Sequence, residues 1–355
     1  MSIRSFDGFH SFQRQIIMDA RAQRVPVNIA FELTSRCNLR CRMCYVCGRV
    51  DASNLKEREL ATAQWLDIAR QAKDAGALFL LLTGGEVLLR EDFPVLYTEL
   101  SKMGFLISIY TNGTLLTPAL VALFKQIRPF ELTITLYGAS RETYQAVTGL
   151  ALAHDQVMQG ITWLHEAGVP FSLKVTLIKL NRNDLPALHA FVTGLGLPFS
   201  WVEYIEPRRE GEGTTPLDVR LSPEERLTAE QELMRLDEGY REEWRGVRYS
   251  GLDDYEVFPC NAGRTGYWVA WDGRMLPCAS MREPAPDLCH MSVVDAWERV
   301  KAGVDAIPGC ADCEQCADRN VCNACPAVLK LETGSYEAPA SYLCEYARRK
   351  NSMND

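Results

Sequence analysis

The sequence predicts an α/β protein: a partial (β/α)6 barrel followed by a C-terminal cysteine-rich iron–sulfur domain. Two observations carry that prediction. Short apolar runs alternate with helix-period segments through roughly the first 205 residues, the pattern of parallel strands joined by crossover helices. After that the pattern stops, and nine of the thirteen cysteines follow from Cys260 onward.

The predicted strands are 27–33, 78–82, 106–110, 131–136, 171–178 and 200–205. Between them lie "TAQWLDIARQAKDAG", "TPALVALFKQI", "DQVMQGITWLHEAG" and "DLPALHAFVTGLG", each with apolar residues at three- and four-residue spacing. Gly76 and Gly168 suit helix C-termini. Six units are too few for a closed eight-stranded barrel, and the active site is expected at the C-terminal strand ends. The segment "EPRREGEGTTPLDVRLSPEE" is rich in Gly, Pro and charge and reads as a linker, with Glu206 to Asp218 as an acidic loop, before a helix from Pro223 to Leu236. The domain boundaries are therefore 1–25 for an N-terminal helical segment, 26–206 for the barrel, 207–250 for the linker and helix, and 251–355 for the cysteine-rich domain, which includes a hairpin-like "GYWVAWDGRMLPC".

At 355 residues the chain can bury a large core. Its 47% apolar and 24% charged residues are those of an ordinary globular enzyme. A net charge of -8 argues against nucleic acid as a partner. The N-terminus lacks a signal-peptide core and nothing approaches a spanning helix, so no membrane partner is expected and the predicted location is cytoplasmic. In a reducing compartment thiols serve metals or catalysis rather than disulfides.

Four cysteines fall within "CNLRCRMCYVC". Cys37, Cys41 and Cys44 form C-x3-C-x2-C directly after the first strand. Three thiolates on one loop can hold three irons of a [4Fe–4S] cube and leave the fourth open, whereas zinc favours paired knuckles and four protein ligands. Packing as small hydrophobes is disfavoured beside Arg36, Asn38, Arg40 and Arg42. Cys47 lies outside the spacing.

"CNLRCRMCY" followed some forty residues later by "LLTGGEVLLRED" resembles the radical S-adenosylmethionine (SAM) superfamily. That resemblance implies SAM bound to the open iron of a [4Fe–4S] cluster, one-electron cleavage, and a 5'-deoxyadenosyl radical that takes hydrogen from the substrate, with the protein orienting SAM and excluding water. Gly84 and Gly85 at a strand end let backbone approach a ligand, and Glu86 adds an anionic partner for an ammonium group. By resemblance these three meet the methionyl amino group, and Tyr45 meets adenine. Later strand ends offer Tyr110 and Asn112, Thr135 and Tyr137, and Lys174 and Thr176; the family uses polar residues there for the SAM ribose and carboxylate. Alternation alone also places such residues inside a barrel. Asn112, Thr135 and Lys174 are carried forward as cofactor-binding.

The C-terminal cysteines read C-x12-G-x4-C, then C-x2-C-x5-C-x2-C, then a last C. This is similar to the seven-cysteine SPASM extension of peptide- and protein-modifying members, except that the last pair has two intervening residues instead of three. The resemblance implies two auxiliary iron–sulfur clusters, one on Cys260, Cys278 and Cys325, the other on Cys313, Cys316, Cys322 and Cys344. Cys289 and Cys310 are left over: either one completes the first cluster, or its fourth iron is open to the substrate or to water. The C-x2-C spacings alone would also suit a zinc ribbon.

The resemblance further implies a peptide or protein substrate, made on the ribosome and oxidised or crosslinked. Glu203, Tyr204 and Tyr137, at strand ends, are the expected substrate-side catalytic groups. A reducing partner such as flavodoxin or ferredoxin is expected. Only 36 residues precede Cys37, too few for a leader-binding winged helix, so a separate leader-peptide recognition protein or direct peptide binding is expected. The alternatives are a small molecule or tetrapyrrole side chain as substrate, and a sulfatase-maturing reaction. In the latter branch an Asp follows the cysteine matching Cys278; here Ala279 does. A non-enzymatic zinc or electron-transfer protein has no use for GGE behind an open-site cluster.

Overall fold

The computed structural model of the chain describes residues 7–46, 56–202, 204–209, 216–246, 257–258 and 260–353. Six strands run parallel in sequence order: β1 (Asn28–Glu32), β2 (Phe79–Thr83), β3 (Leu106–Thr111), β4 (Glu131–Leu136), β5 (Ser172–Thr176) and β6 (Ser200–Val202). They form the partial barrel that the alternating pattern predicts.

Alternation decides which face the helices cover. Ile29, Phe31, Leu80, Leu82, Ile107, Ile109, Leu132, Ile134, Leu173 and Val175 all enter the main apolar core. Their neighbours in sequence, among them Glu32, Thr83, Ser108, Thr133, Thr135 and Lys174, therefore occupy the opposite face. That face is polar, so the barrel interior can take a polar ligand.

The crossover helices are set by local signals. Thr117 caps the helix Pro118–Gln126 by accepting from Leu120 N, with Pro at its first position. The helix Ala153–Ala167 ends on Gly168 in the left-handed region. Ser222 and Glu225 form a reciprocal capping box at the start of Pro223–Leu236, the helix expected after the linker.

The hairpin expected in the C-terminal domain joins the barrel sheet. β7 (Gly266–Val269) pairs parallel to β1, and β8 (Met275–Leu276) pairs antiparallel to β7, giving the order β6-β5-β4-β3-β2-β1-β7-β8. A Cβ at Gly266 would lie 2.3 Å from the Asn28 carbonyl, so the approach requires glycine. This pairing satisfies the otherwise open edge of β1 and brings the cysteine-rich region beside the strand that leads into the first cysteine loop. Arg21 and Arg24 of the helix Asp7–Gln23 and its C-terminal turn tie down the same region, donating to the carbonyls of Cys260 (2.7 Å) and Gly263 (2.6 Å). No helix among the described residues is long and apolar enough to cross a membrane.

Candidate active site at the barrel mouth

The loop leaving β1 is braced by buried ion pairs. Arg36 grips Glu59 with Nε and Nη2, each at 2.9 Å, and Thr34 donates its hydroxyl to the same carboxylate. Arg90, buried, donates to the carbonyls of Leu33 (2.9 Å) and Leu60 (3.2 Å) and grips Asp92 with Nε and Nη2 (2.9 and 2.7 Å). The loop's far side is pinned to the end of the helix Arg141–Thr148 through Arg40 N to Thr148 O and Arg42 N to Val147 O, both 2.9 Å.

The three thiols on this loop act on one another. Burial raises Cys41 well above the ordinary thiol value, Cys44 and Cys37 raise it further, and a hydrogen bond from Tyr137 partly offsets them. Cys37 Sγ accepts from Leu39 N at 3.4 Å and from Asn112 Nδ2 at 3.8 Å. Mutually repelling thiolates of this kind need a cationic partner to ionise together, and N–H donors to sulfur are what a thiolate-ligated cluster uses. The donor set fits a [4Fe–4S] cube on Cys37, Cys41 and Cys44. Among the described residues no three His, Cys, Asp or Glu side chains converge closely enough for one metal ion; a cube gives each cysteine a separate iron and has no such requirement.

The GGE turn lies against this loop. Gly85 N donates to Thr34 O at 2.7 Å and Glu86 N to Arg36 O at 2.9 Å. A Cβ would stand 2.5 Å from Thr34 O at Gly84 and 2.3 Å from Arg36 O at Gly85. The close approach that bars side chains here is to the cysteine loop's own backbone. Glu86 is buried and accepts from Thr111 Oγ1 (2.6 Å), Asn112 N (2.7 Å) and Leu88 N (3.0 Å). Burial raises its carboxyl and those donors oppose the rise. Three donors leave room for one more on a carboxylate.

Asn112 is likewise engaged by protein: Nδ2 donates to Asn38 Oδ1 at 3.0 Å and Oδ1 accepts from Thr114. Thr135 and Lys174 are paired in register on β4 and β5, half-buried on the polar face. Tyr137 abuts the cysteine loop, its hydroxyl raised by burial and by the three thiols. Tyr204 is drawn elsewhere: its hydroxyl donates to Glu332, which also holds Arg220, under the C-terminal cysteines. A hydroxyl so held faces the protein, not a substrate. Glu203 and Cys47 lie outside the described residues.

A charged group missed by the sequence reading closes the mouth. Tyr45 stacks beneath Arg209, whose guanidinium carbon is 4.1 Å from the ring centre. Arg209 Nη1 donates to Glu32 Oε2 at 3.1 Å, and Trp268 Nε1 of β7 donates to the same oxygen at 3.0 Å. The legible signal was Glu32 itself, a charge in the apolar run "NIAFEL". Glu206, three residues before Arg209, accepts from Ser280 Oγ with both oxygens (2.7 and 2.8 Å), and burial raises its carboxyl.

The later cysteines fall into two neighbourhoods. Burial pushes Cys278 up to about 12, with Cys325 and Cys260 adding to it, and Cys325 up to about 11, with Cys260 and Glu206 adding. In the other, burial and a hydrogen bond to Cys310 raise Cys313, while Cys322 and Cys344 add; Cys344 in turn is raised by burial, Cys316 and Cys310. Of the two leftover cysteines, Cys310 thus sits with the second group, and Cys289 stands beside Asp287 and Asp272.

A partial parallel barrel whose first strand feeds a three-cysteine loop, clamped by a Gly-Gly-Glu turn, defines a SAM-cleaving iron–sulfur enzyme. Residues 31–192 match the family model described as Radical SAM superfamily. That match and the relatives that follow support a radical SAM enzyme in which a cysteine-rich C-terminal region succeeds the matched domain. The chain is 25% identical over 344 residues to the AdoMet-dependent heme synthase of Methanosarcina barkeri, covering 90% of this chain and 97% of that one. It is 26% identical over 312 residues to the PqqA peptide cyclase of Granulibacter bethesdensis, covering 83% and 81%. The structure of Streptococcus suis SuiB bound to S-adenosylmethionine superposes with a TM-score of 0.72 at 16% identity, over 97% of this chain and 83% of that one; SuiB has also been solved with its precursor peptide SuiA.

Proposed function

We propose that the protein abstracts hydrogen from a ribosomally made peptide and oxidises or crosslinks it. One observation supports this reading: Arg209 stacks on Tyr45, the residue after Cys44, and Glu206 acts on both Tyr45 and Cys325, which links the first cysteine loop to the Cys260, Cys278 and Cys325 neighbourhood. SAM and its cluster, when bound, supply the hydrogen-abstracting 5'-deoxyadenosyl radical. Forming a crosslink or double bond also releases a second electron and a proton. Auxiliary clusters on Cys260, Cys278 and Cys325 and on Cys313, Cys316, Cys322 and Cys344 would take the electron. Glu206, beside the first of these groups, is placed to take the proton. Gly84, Gly85 and Glu86 would hold the methionyl end of SAM, Tyr45 its adenine, and Thr135 and Lys174 its polar groups. The PqqA peptide cyclase relative supports a peptide substrate. A flavodoxin or ferredoxin in the cytoplasm would supply the first electron, and a separate protein could present the leader peptide.

The heme synthase relative, matched over 97% of its length, favours a second reading in which a tetrapyrrole side chain is the substrate. The radical chemistry that both readings share is tested by anaerobic reconstitution followed by iron and sulfide analysis and an assay for 5'-deoxyadenosine on reduction. Release of deoxyadenosine with about twelve irons supports the reading. Zinc in the C-terminal region, or no SAM cleavage, overturns it.

A further inference from the structure

Arg209 is buried, its side chain only 4% exposed. Its Nη1 is taken by Glu32, but Nε and Nη2 are also buried and, among the described residues, meet no hydrogen-bond acceptor. Buried guanidinium N–H groups are costly to leave unpaired, and each such case asks for a missing partner. Nε and Nη2 form one edge of the planar fork. The same edge grips Glu59 on Arg36 and Asp92 on Arg90, each with two bonds between 2.7 and 2.9 Å. At Arg209 the edge is present, and among the described residues no carboxylate pairs with it. Glu206, the nearby acid that acts on Arg209 electrostatically, has both oxygens bonded by Ser280 instead.

We propose that the Nε/Nη2 edge of Arg209 receives a carboxylate of the substrate. The inference rests on the radical SAM reading of the mouth and names the chemistry of what enters it. Arg209 is already held in place: stacked on Tyr45 one residue after Cys44, and anchored to β1 and β7 through Glu32 and Trp268. Its ordering is complete before a ligand arrives, which is what bidentate recognition needs. Its position three residues from Glu206 places the bound carboxylate between the first cysteine loop and the Cys278 group, where a substrate must lie to exchange hydrogen with one and electrons with the other. An acidic peptide side chain and a tetrapyrrole propionate both supply this group.

The test measures binding to the SAM-loaded, anaerobically reconstituted and unreduced protein, so that no radical step is involved. The probes are acetyl-Ala-Glu-Ala-amide against its Gln counterpart, and coproporphyrin III against its tetramethyl ester, read by calorimetry. At least one acid should bind about tenfold tighter than its neutral partner, and the pair that shows the preference names the source. The preference should vanish in Arg209→Gln. If that variant fails to load iron, Arg209→Lys decides, since it keeps the charge and loses the fork; it should show at most a small residue of the preference. Equal binding of acid and neutral probes by the unaltered protein, as when SAM's own carboxylate takes the edge, overturns the proposal, as does a preference that survives either substitution. Absence of deoxyadenosine on reduction would overturn the radical reading while leaving this measurement standing.

Discussion

The backbone N–H of Gly85 donates to the carbonyl of Thr34 at 2.7 Å, which makes the GGE turn and the cysteine loop one structural unit. The relationship explains why the turn has no side chains: a Cβ on Gly85 would stand 2.3 Å from Arg36 O, a backbone atom that cannot swing aside. Gly85→Ala should therefore displace the cysteine loop. The expected cost is about 1–3 kcal/mol, seen as a lower thermal midpoint, together with loss of iron from the first cluster. Normal iron content and stability in this variant would show that the loop is not positioned by the turn.

Glu59 is the hub of the loop's support, facing Arg36 at 2.9 Å and Arg90 at 3.8 Å while 5% exposed. Removing it leaves the largely buried Arg36 guanidinium without its counter-charge, and leaves buried Arg90 with Asp92 alone. Glu59→Ala should destabilise the protein by about 3 kcal/mol, and Glu59→Gln, which keeps hydrogen-bond acceptors, by about 1–2 kcal/mol. Urea unfolding of both variants checks the order; an Ala variant no weaker than the Gln variant would contradict it.

The elements visible in the sequence are those set by local signals. Each of the six barrel strands starts within one residue of its predicted position because short apolar or alternating runs mark them locally. Pro223–Leu236 matches because Ser222, Pro223 and Glu225 are a capping signature. The helices Phe93–Lys102 and Arg141–Thr148 are not among the segments the pattern singles out, the second being short and polar outside Tyr144 and Val147. The hairpin's place beside β1 and the Arg209–Glu32 pair join residues far apart in sequence, 177 positions for the pair, and such contacts leave no periodicity to read. The cysteine loop and GGE turn were legible as motifs; that each is the other's scaffold was not, because the glycines' neighbours are backbone atoms of another segment.

Glu206 should make stability depend on pH. Burial raises its carboxyl above the ordinary 4.5, with Ser280 and Arg209 opposing. The unfolded chain then loses its proton first as pH rises, so folding stability is full below 4.5 and is lost between 4.5 and the raised value. Glu206→Gln removes that loss. The difference in urea midpoint between Glu206→Gln and the unaltered protein should move in favour of Gln from about pH 5 to about pH 7.5, by no more than about 1.4 kcal/mol per unit. A difference that is flat or falls with pH would mean that the folded carboxyl is not raised.

The three cysteine neighbourhoods should lose metal independently. Cys37, Cys41 and Cys44 lie on a loop braced by Glu59, Arg90 and the GGE turn, whereas the C-terminal groups are held by separate segments. Cys278 and Ser280 follow β8, and Cys325 directly precedes the helix Pro326–Thr333. Replacing Cys37, Cys41 and Cys44 with Ala should remove about four irons and all SAM cleavage while the remaining iron stays. Replacing Cys260, Cys278 and Cys325 should remove about four irons, keep deoxyadenosine release on reduction, and abolish product formation, because the second electron then has no acceptor. Cys289→Ala should change neither, since the groups that act on that thiol are Asp287 and Asp272 and not the other cysteines. Loss of SAM cleavage in the second variant would show that the groups are not independent. Loss of iron in Cys289→Ala would show that the first auxiliary group recruits a fourth thiol.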